Sequence, residues 1–362
     1  MEYFTYLTNN CNLYCQYCSV LVDCQKNNLP IKPTYSLEEY LSFIEKTQYE
    51  KNDNEINVYF FGGEPSLEYD FAYKLVESII NKFDKKCKIH FILHTNGLLL
   101  NELPIKLRNA LSLIMLSINY EKIPKYNLGG SYFQTIIDNT VGIKLKKNIP
   151  IIARLTITET TSIYTEIMQI SHFFDLIYWQ IENCYSFNDF NSFFKSYTYE
   201  INLLYSIWLK YFEAGTMLKF VPFMAIIKFM FFNDRSDNLF SCGYGRGMVY
   251  IQTNGNCYAC SDNIEDGKHY IGSLKTGVNL DNYTLDKLRC AGCTYRPICM
   301  GRCGRMHIEF TDKHIMEYCK LNQFMFDLFI INKDKLEKAL KKYCYYSDEL
   351  TNPLLEYTEF TP

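Results

Sequence analysis

With 362 residues, 48% of them hydrophobic, the chain is long enough to bury a full core and a smaller second module. A net charge of -3 and a pI near 6.1 exclude the basic excess that broad binding to nucleic acid or to a membrane surface requires. The most apolar long stretch, Leu218 to Phe232, is interrupted by Lys219, Pro222 and Lys228 and is too short to span a bilayer, so it reads as buried helix.

The chain opens on Met1-Glu2 and passes straight into an apolar run, with no charged n-region, apolar h-region and cleavage site, so a cytoplasmic location is expected. Fifteen cysteines in such a chain point to metal ligation rather than disulfides, because the cytosol keeps thiols reduced. Cys24, Cys87, Cys184 and Cys344 lie outside any ligand spacing and are expected to be small buried hydrophobes.

In chain order, Tyr3 to Leu7 is the first expected strand, and Thr8 to Cys18 follows it directly. That loop carries Cys11, Cys15 and Cys18 at the spacing C-x3-C-x2-C. A cubic [4Fe-4S] cluster usually takes four thiolates, so a trio with no fourth nearby leaves one iron open to a small molecule. Structural zinc is the alternative, but it prefers closed four-coordinate sites built from pairs of ligands.

The trio, with the aromatic Tyr17 before its last cysteine, resembles the signature of radical S-adenosylmethionine (SAM) enzymes. The resemblance implies that Cys11, Cys15 and Cys18 hold the cluster and that the open iron chelates S-adenosylmethionine. One-electron cleavage would then give a 5'-deoxyadenosyl radical that abstracts hydrogen from substrate.

Beyond the thiol loop, Ser36-Leu37-Glu38-Glu39 is a capping box opening an amphipathic helix with Leu37, Tyr40, Leu41 and Ile44 on one face. Ile56 to Phe61 reads as a strand covered on both faces, and Tyr69 to Phe83 as a second helix. Further strands are expected at 88–94, 112–118, 150–157 and 176–181, with helices between them. Strands separated by helix-length segments imply parallel pairing through crossovers. The count is six βα units, short of a closed barrel of eight. The fold class is therefore α/β, and the resemblance implies a partial (β/α)6 TIM-like barrel.

In parallel α/β folds the functional loops sit at the carboxyl ends of strands. Gly62-Gly63-Glu64-Pro65 falls there after the second strand; two glycines let backbone approach a ligand closely, and in the family this segment receives the amino group of S-adenosylmethionine. Asn96, in His94-Thr95-Asn96-Gly97, resembles the family's T-N-G segment. Ser117 is carried over as a donor to the cofactor. Asn119 stands where the family commonly has aspartate and is expected to reach ribose hydroxyls as a neutral amide. Arg154 is the candidate for the cofactor carboxylate, with a surface ion pair as its alternative.

A second cysteine field runs from 242 to 319: Cys242, Gly255 and Cys260, then Cys290-x2-Cys293-x5-Cys299-x3-Cys303, then Cys319. It resembles the SPASM domain of peptide-modifying radical enzymes, a pair of zinc ribbons being the alternative. The resemblance implies one cluster on Cys290, Cys293, Cys299 and Cys319 and another on Cys242, Cys260 and Cys303, hence three [4Fe-4S] clusters in all. Cys257 is expected as a buried non-ligand, a fourth ligand of the latter cluster being the alternative, on a hairpin from Met248 to Ala259 that turns at Thr253-Asn254-Gly255. Asp262, two residues past Cys260, is the candidate proton acceptor, with a solvated turn aspartate before Asn263 as the alternative; sulfatase-maturing relatives place this aspartate one residue earlier, and in an extended strand the displacement turns it to the opposite face.

The expected organisation is a barrel over 1–195, a helical bridge over 196–235, an auxiliary two-cluster (SPASM) domain over 236–325 and a helical tail over 326–362. The expected function is radical modification (maturation) of a peptide or protein side chain or backbone. Its partners would be that substrate, a low-potential electron donor of ferredoxin or flavodoxin type, and a separate leader-peptide-binding protein if a leader is used. The alternatives are a formylglycine-forming sulfatase-maturing enzyme and a non-catalytic iron-sulfur or zinc scaffold.

Overall fold

In the computed structural model the described residues are 1–13, 15, 18, 20, 27–119, 132–146, 149–183, 186–232, 240–262, 264, 267–280, 289–346, 350 and 362. The first half runs β1 (Glu2–Thr8), α1 (Leu37–Lys51), β2 (Glu55–Gly62), α2 (Tyr69–Phe83), β3 (Lys88–Thr95), α3 (Ile105–Ala110), β4 (Leu111–Ser117), α4 (Tyr132–Lys146), β5 (Ile151–Ile157), α5 (Ile163–Ile170) and β6 (Leu176–Ile181). The second runs α6 (Phe190–Glu213), α7 (Val221–Phe231), β7 (Met248–Ile251), β8 (Asn256–Tyr258), β9 (Tyr270–Ser273), β10 (Gly277–Val278), α8 (Arg296–Cys299), α9 (Gly304–Glu309), α10 (Asp312–Ile331) and α11 (Lys333–Tyr346). The six strand-helix alternations of the expected (β/α)6 arrangement are present in order.

The chain forms two compact units. One comprises Met1–Ile118, Lys122–Ile152 and Tyr244–Tyr283, the other Asn119–Glu121, Ala153–Gly243 and Thr284–Pro362. The stretch 236–325, expected as one auxiliary domain, contributes to both.

In the first unit the strand order is β10-β9-β8-β7-β1-β2-β3-β4, with the start of β5 next: the Ile114 N–H donates to the Pro150 carbonyl at 3.0 Å. β1 pairs in parallel with both β2 and β7, and β7 to β10 are antiparallel. The apolar run of β1 is thus flanked on both edges, which removes the exposed edge that such a strand would otherwise present. Its two faces are covered as well. On one, Thr5 Oγ1 meets Tyr40 Oη of α1 at 2.6 Å; on the other, Phe4 stacks on Tyr59 at 4.2 Å and on Tyr250 at 4.5 Å.

Helix α1 begins at the capping box read from sequence: Glu39 N–H donates to Ser36 Oγ at 3.1 Å and Ser36 N–H to Glu39 Oε2 at 2.8 Å. Its buried face is Tyr40, Phe43, Ile44, Thr47 and Gln48, so Leu37 and Leu41 flank that face rather than define it.

In the second unit β6 lies beside β5, and the Glu182 N–H donates to the Ile157 carbonyl at 2.8 Å. Pro222 occupies the first turn of α7, where a missing N–H costs no helical bond. Trp179 of β6 is fully buried and packs edge-on against Phe223 of α7 at 5.3 Å; Trp208 of α6 and Phe329 of α10 close the same aromatic core. Among the described residues no helix is long and apolar enough to cross a membrane.

Candidate active site

The carboxyl ends of β1, β2 and β3 converge in the first unit and carry the thiol loop, the GGEP turn and the T-N-G segment. The GGEP turn is tied to the thiol loop through its backbone. Gly63 N–H donates to the Thr8 carbonyl and Glu64 N–H to the Asn10 carbonyl, each at 2.8 Å. A Cβ on Gly62, whose φ is +127°, would stand 2.3 Å from Thr8 O, and one on Gly63 2.1 Å from Asn10 O. The glycines are therefore required for close approach to the thiol loop itself, a reason the sequence reading, which looked to a ligand, did not supply.

Glu64 is the hub of the site. It is 1% exposed, and its carboxylate accepts from Ser66 N–H at 3.0 Å, Thr95 Oγ1 at 2.7 Å and Asn96 N–H at 2.8 Å. Burial raises its pKa, while the donors on Ser66, Asn96 and Thr95 work against that rise. Pro65 opens the 3-10 turn that Glu64 caps. Asn96 extends the network to the thiol loop, its Nδ2 donating to Asn12 Oδ1 at 2.7 Å, and Asn139 of α4 holds the Gly97 and Leu98 carbonyls at 3.1 and 2.9 Å.

Cys11, Cys15 and Cys18 sit within electrostatic range of one another. Burial pushes the Cys11 thiol up to about 12, opposed by the Leu13 N–H at 3.4 Å from its sulfur and reinforced by Glu64, Cys18 and Cys15. The Cys18 N–H donates to the Cys15 carbonyl at 3.1 Å and closes the loop between them. Tyr17 lies outside the described residues. Ser117 ends β4 one register step past the Thr95–Leu116 pair and is exposed.

Asn119 and Arg154 belong to the second unit. Asn119 is turned to β5 instead of outward: Nδ2 donates to the Thr156 carbonyl at 3.0 Å, and Oδ1 accepts from Thr156 N–H at 3.2 Å. An aspartate would have no proton for the carbonyl, which explains the amide here; the side chain expected to reach ribose hydroxyls is thus also bonded to the β5 backbone. Arg154, the candidate for the cofactor carboxylate, donates from Nη2 to Gln180 Oε1 at 2.6 Å, an amide partner and not the ion pair of the alternative reading.

Cys290, Cys293, Cys299 and Cys319 also gather within the second unit. Burial pushes Cys299 up to about 12, with Cys319 and Cys290 adding to it and Arg302 opposing; Cys319 is likewise raised by burial and then by Cys293 and Cys290. Arg296 Nη1 donates to Cys290 Sγ at 3.2 Å. Of the remaining set, Cys242 and Cys303 lie in the second unit and Cys260 in the first. Asn183, just after β6, donates to Cys303 Sγ at 3.7 Å and accepts from Arg302 Nη1 at 2.8 Å. Asn183, Arg296 and Arg302 were not singled out from sequence; the C-x2-C-x2-R run that places Arg296 near Cys290 was the available signal.

Among the described residues no three His, Cys, Asp or Glu side chains are grouped as ligands of one metal ion. A cubic cluster gives each thiolate its own iron, so its ligands stand farther apart than those of a single ion.

Cys257 is fully buried on β8, its thiol raised by burial and facing Tyr35 and Tyr40. The hairpin is as expected, with Gly255 at φ +82° in its turn. β8 ends at Tyr258, however, and Ser261 and Asp262 lie in a bend past its end. The alternation argument that turned Asp262 to the opposite face does not apply; the carboxylate accepts from Ser261 Oγ at 3.3 Å. Cys344 is exposed and Cys87 half-buried, contrary to the expectation of buried hydrophobes, while Cys24 and Cys184 lie outside the described residues.

Residues 5–140 match the Radical SAM superfamily. Over 330 residues the chain is 24% identical to a cysteine-type anaerobic sulfatase-maturating enzyme of Clostridium novyi (strain NT), covering 82% of this chain and 86% of that protein. The solved structure of polyhistidine-tagged anSMEcpe with bound AdoMet is similar over 99% of both chains, with a TM-score of 0.73 at 19% identity. Native anSMEcpe with bound AdoMet and Cp18Cys peptide is similar over 94% of this chain and 99% of that one, with a TM-score of 0.71 at 19% identity. At that identity the structural likeness establishes the fold. The thiol loop and the strand ends that hold it fall inside residues 5–140, the segment that matches the Radical SAM superfamily, and the chain is an enzyme.

Proposed function

We propose that the enzyme is a maturase that modifies a peptide or protein, with Cys11, Cys15 and Cys18 holding a [4Fe-4S] cluster that binds S-adenosylmethionine. One observation carries it: a single buried carboxylate, Glu64, joins the GGEP turn to the T-N-G segment, and both are bonded to the three-cysteine loop. The donor set fits the group, since three neighbouring thiols supply ligands for three irons of a cubane and leave the fourth. Bound together, cluster and cofactor supply hydrogen-atom abstraction.

The chain's own part is positional. The N–H groups of Gly63 and Glu64 are engaged by Thr8 and Asn10, so the turn offers carbonyl acceptors to an ammonium donor such as the cofactor's amino group. The Leu13 N–H stabilises the Cys11 thiolate required of a ligand. Ser117, exposed at the end of β4, is assigned to the cofactor as a hydroxyl donor. The remaining cysteines are assigned to two further clusters, one on Cys290, Cys293, Cys299 and Cys319 and one on Cys242, Cys260 and Cys303, with electrons from a ferredoxin- or flavodoxin-type donor.

A second reading, oxidation of a sulfatase cysteine or serine to formylglycine, is favoured by the similarity over 82% of the chain to a cysteine-type anaerobic sulfatase-maturating enzyme. Asp262 would then accept the proton released as the substrate is oxidised.

The test is anaerobic incubation of iron-loaded protein with S-adenosylmethionine, dithionite and a peptide panel that includes a sulfatase cysteine peptide. Formation of 5'-deoxyadenosine together with a peptide mass change is expected. The mass change of thiol-to-aldehyde conversion on the sulfatase peptide would select the second reading, and absence of 5'-deoxyadenosine would overturn both.

A further inference from the structure

Among the second unit's cysteines, Cys290 has a cation on its sulfur. The loop that carries it is closed by Cys293 N–H to the Cys290 carbonyl and Arg296 N–H to the Cys293 carbonyl, both at 3.1 Å. Arg296 then begins α8 with Pro297 following it in the first turn, so the backbone that aims its guanidinium is fixed from both sides. Nη1 reaches Cys290 Sγ at 3.2 Å, the distance of a charge-assisted hydrogen bond to sulfur.

The other charges nearby are balanced differently. Arg289 is ion-paired with Asp312, and Arg305 with Glu309 at 2.8 Å. Asp327, the carboxylate near this loop, accepts from Tyr295 Oη at 2.8 Å. Arg302 opposes the effect of burial at both Cys299 and Cys319, so a second guanidinium adds to the positive field on this set. The first thiol set faces the reverse, because Glu64 adds negative charge beside Cys11.

We infer that Arg296, through its N–H···S bond to Cys290, raises the reduction potential of the [4Fe-4S] cluster held by Cys290, Cys293, Cys299 and Cys319. The inference rests on the proposal that these four cysteines ligate such a cluster. The physical basis is charge. Reduction adds one electron to an assembly already anionic from its thiolates, with no bond made or broken and no proton taken up. A guanidinium on a ligand sulfur stabilises the more negative state, whereas a buried carboxylate beside a ligand disfavours it. Cluster potentials follow net charge and hydrogen bonds to sulfur in this sense.

The test is an EPR-monitored potentiometric titration of the full-length, anaerobically iron-loaded protein with dithionite, on the parent, Arg296→Gln and Arg296→Lys. In Arg296→Gln one cluster is expected to lose at least about tenfold in its reduced-to-oxidised ratio at fixed potential, a negative shift of about 59 mV for one electron, with the other signals unmoved. Arg296→Lys keeps the charge and is expected to stay within about twofold of the parent. An unchanged midpoint in Arg296→Gln at full iron content would overturn the inference. Should that variant lose iron, a tenfold fall in Arg296→Lys at full iron content would overturn it instead, and a parent-like ratio would support it. A parent protein whose iron content and titration do not change on Cys290→Ala would sink the ligand assignment itself, a different failure from an unmoved midpoint.

Discussion

The loop at 8–18 and the loop at 290–303 both gather closely spaced cysteines, yet they are held by opposite means. The first is gripped from outside by Gly62 and Gly63 at contact distance and by a buried Glu64 network that extends through Thr95 and Asn96. The second is built from its own turns and the short helix α8, with Arg296 on one sulfur. A site gripped from outside fails when a distant residue changes. A site built from local turns tolerates such changes and is tuned by the charge beside it.

The largest effect expected from this contrast is at Gly63. A Cβ there would lie 2.1 Å from the Asn10 carbonyl, so Gly63→Ala must displace the thiol loop. 5'-Deoxyadenosine formation should fall by about 100-fold or more, as misplacement by an ångström can cost. Iron analysis should show loss confined to one cluster, and full loading with parent activity would break the contrast. Next is Glu64→Gln. The amide turns a donor toward groups that are themselves donors at Ser66, Thr95 and Asn96, and chemical denaturation should show a loss of about 1–3 kcal/mol.

Smaller effects sharpen the comparison. Asn119→Asp removes the donor to the Thr156 carbonyl, for an expected loss of about 1 kcal/mol in the same assay. Unchanged stability would mean that the amide is not held by β5. Cys257→Ala should cost on the order of 1 kcal/mol by removing a buried sulfur, and it should leave iron per chain at the parent value. Iron lost in that variant would make Cys257 a ligand.

Much of this architecture is legible in the sequence because its signals are local. The capping box at Ser36, Pro222 in the first turn of α7 and the Gly255 hairpin turn each need only neighbouring residues, and the apolar runs separated by helix-length segments mark the βα alternation. What escaped depends on partners far along the chain. Gly62 and Gly63 answer to Thr8 and Asn10, and the amide at Asn119 answers to Thr156. The pairing of β1 with β7 joins residues 2–5 to 248–251, and no periodicity records it. The face expected for Asp262 does not follow for a local reason: β8 stops at Tyr258, before the alternation of a strand can set its direction.

The central claim is that the three-cysteine loop is the radical source and is separable from the later cysteines. Its most direct test is the simultaneous replacement of Cys11, Cys15 and Cys18 by Ala, with 5'-deoxyadenosine and iron measured on the same anaerobic preparation. The predicted result is no 5'-deoxyadenosine, with about eight irons retained of the about twelve that three cubic clusters hold. Continued cleavage of S-adenosylmethionine by that protein would contradict the account and move the radical source to the second cysteine field.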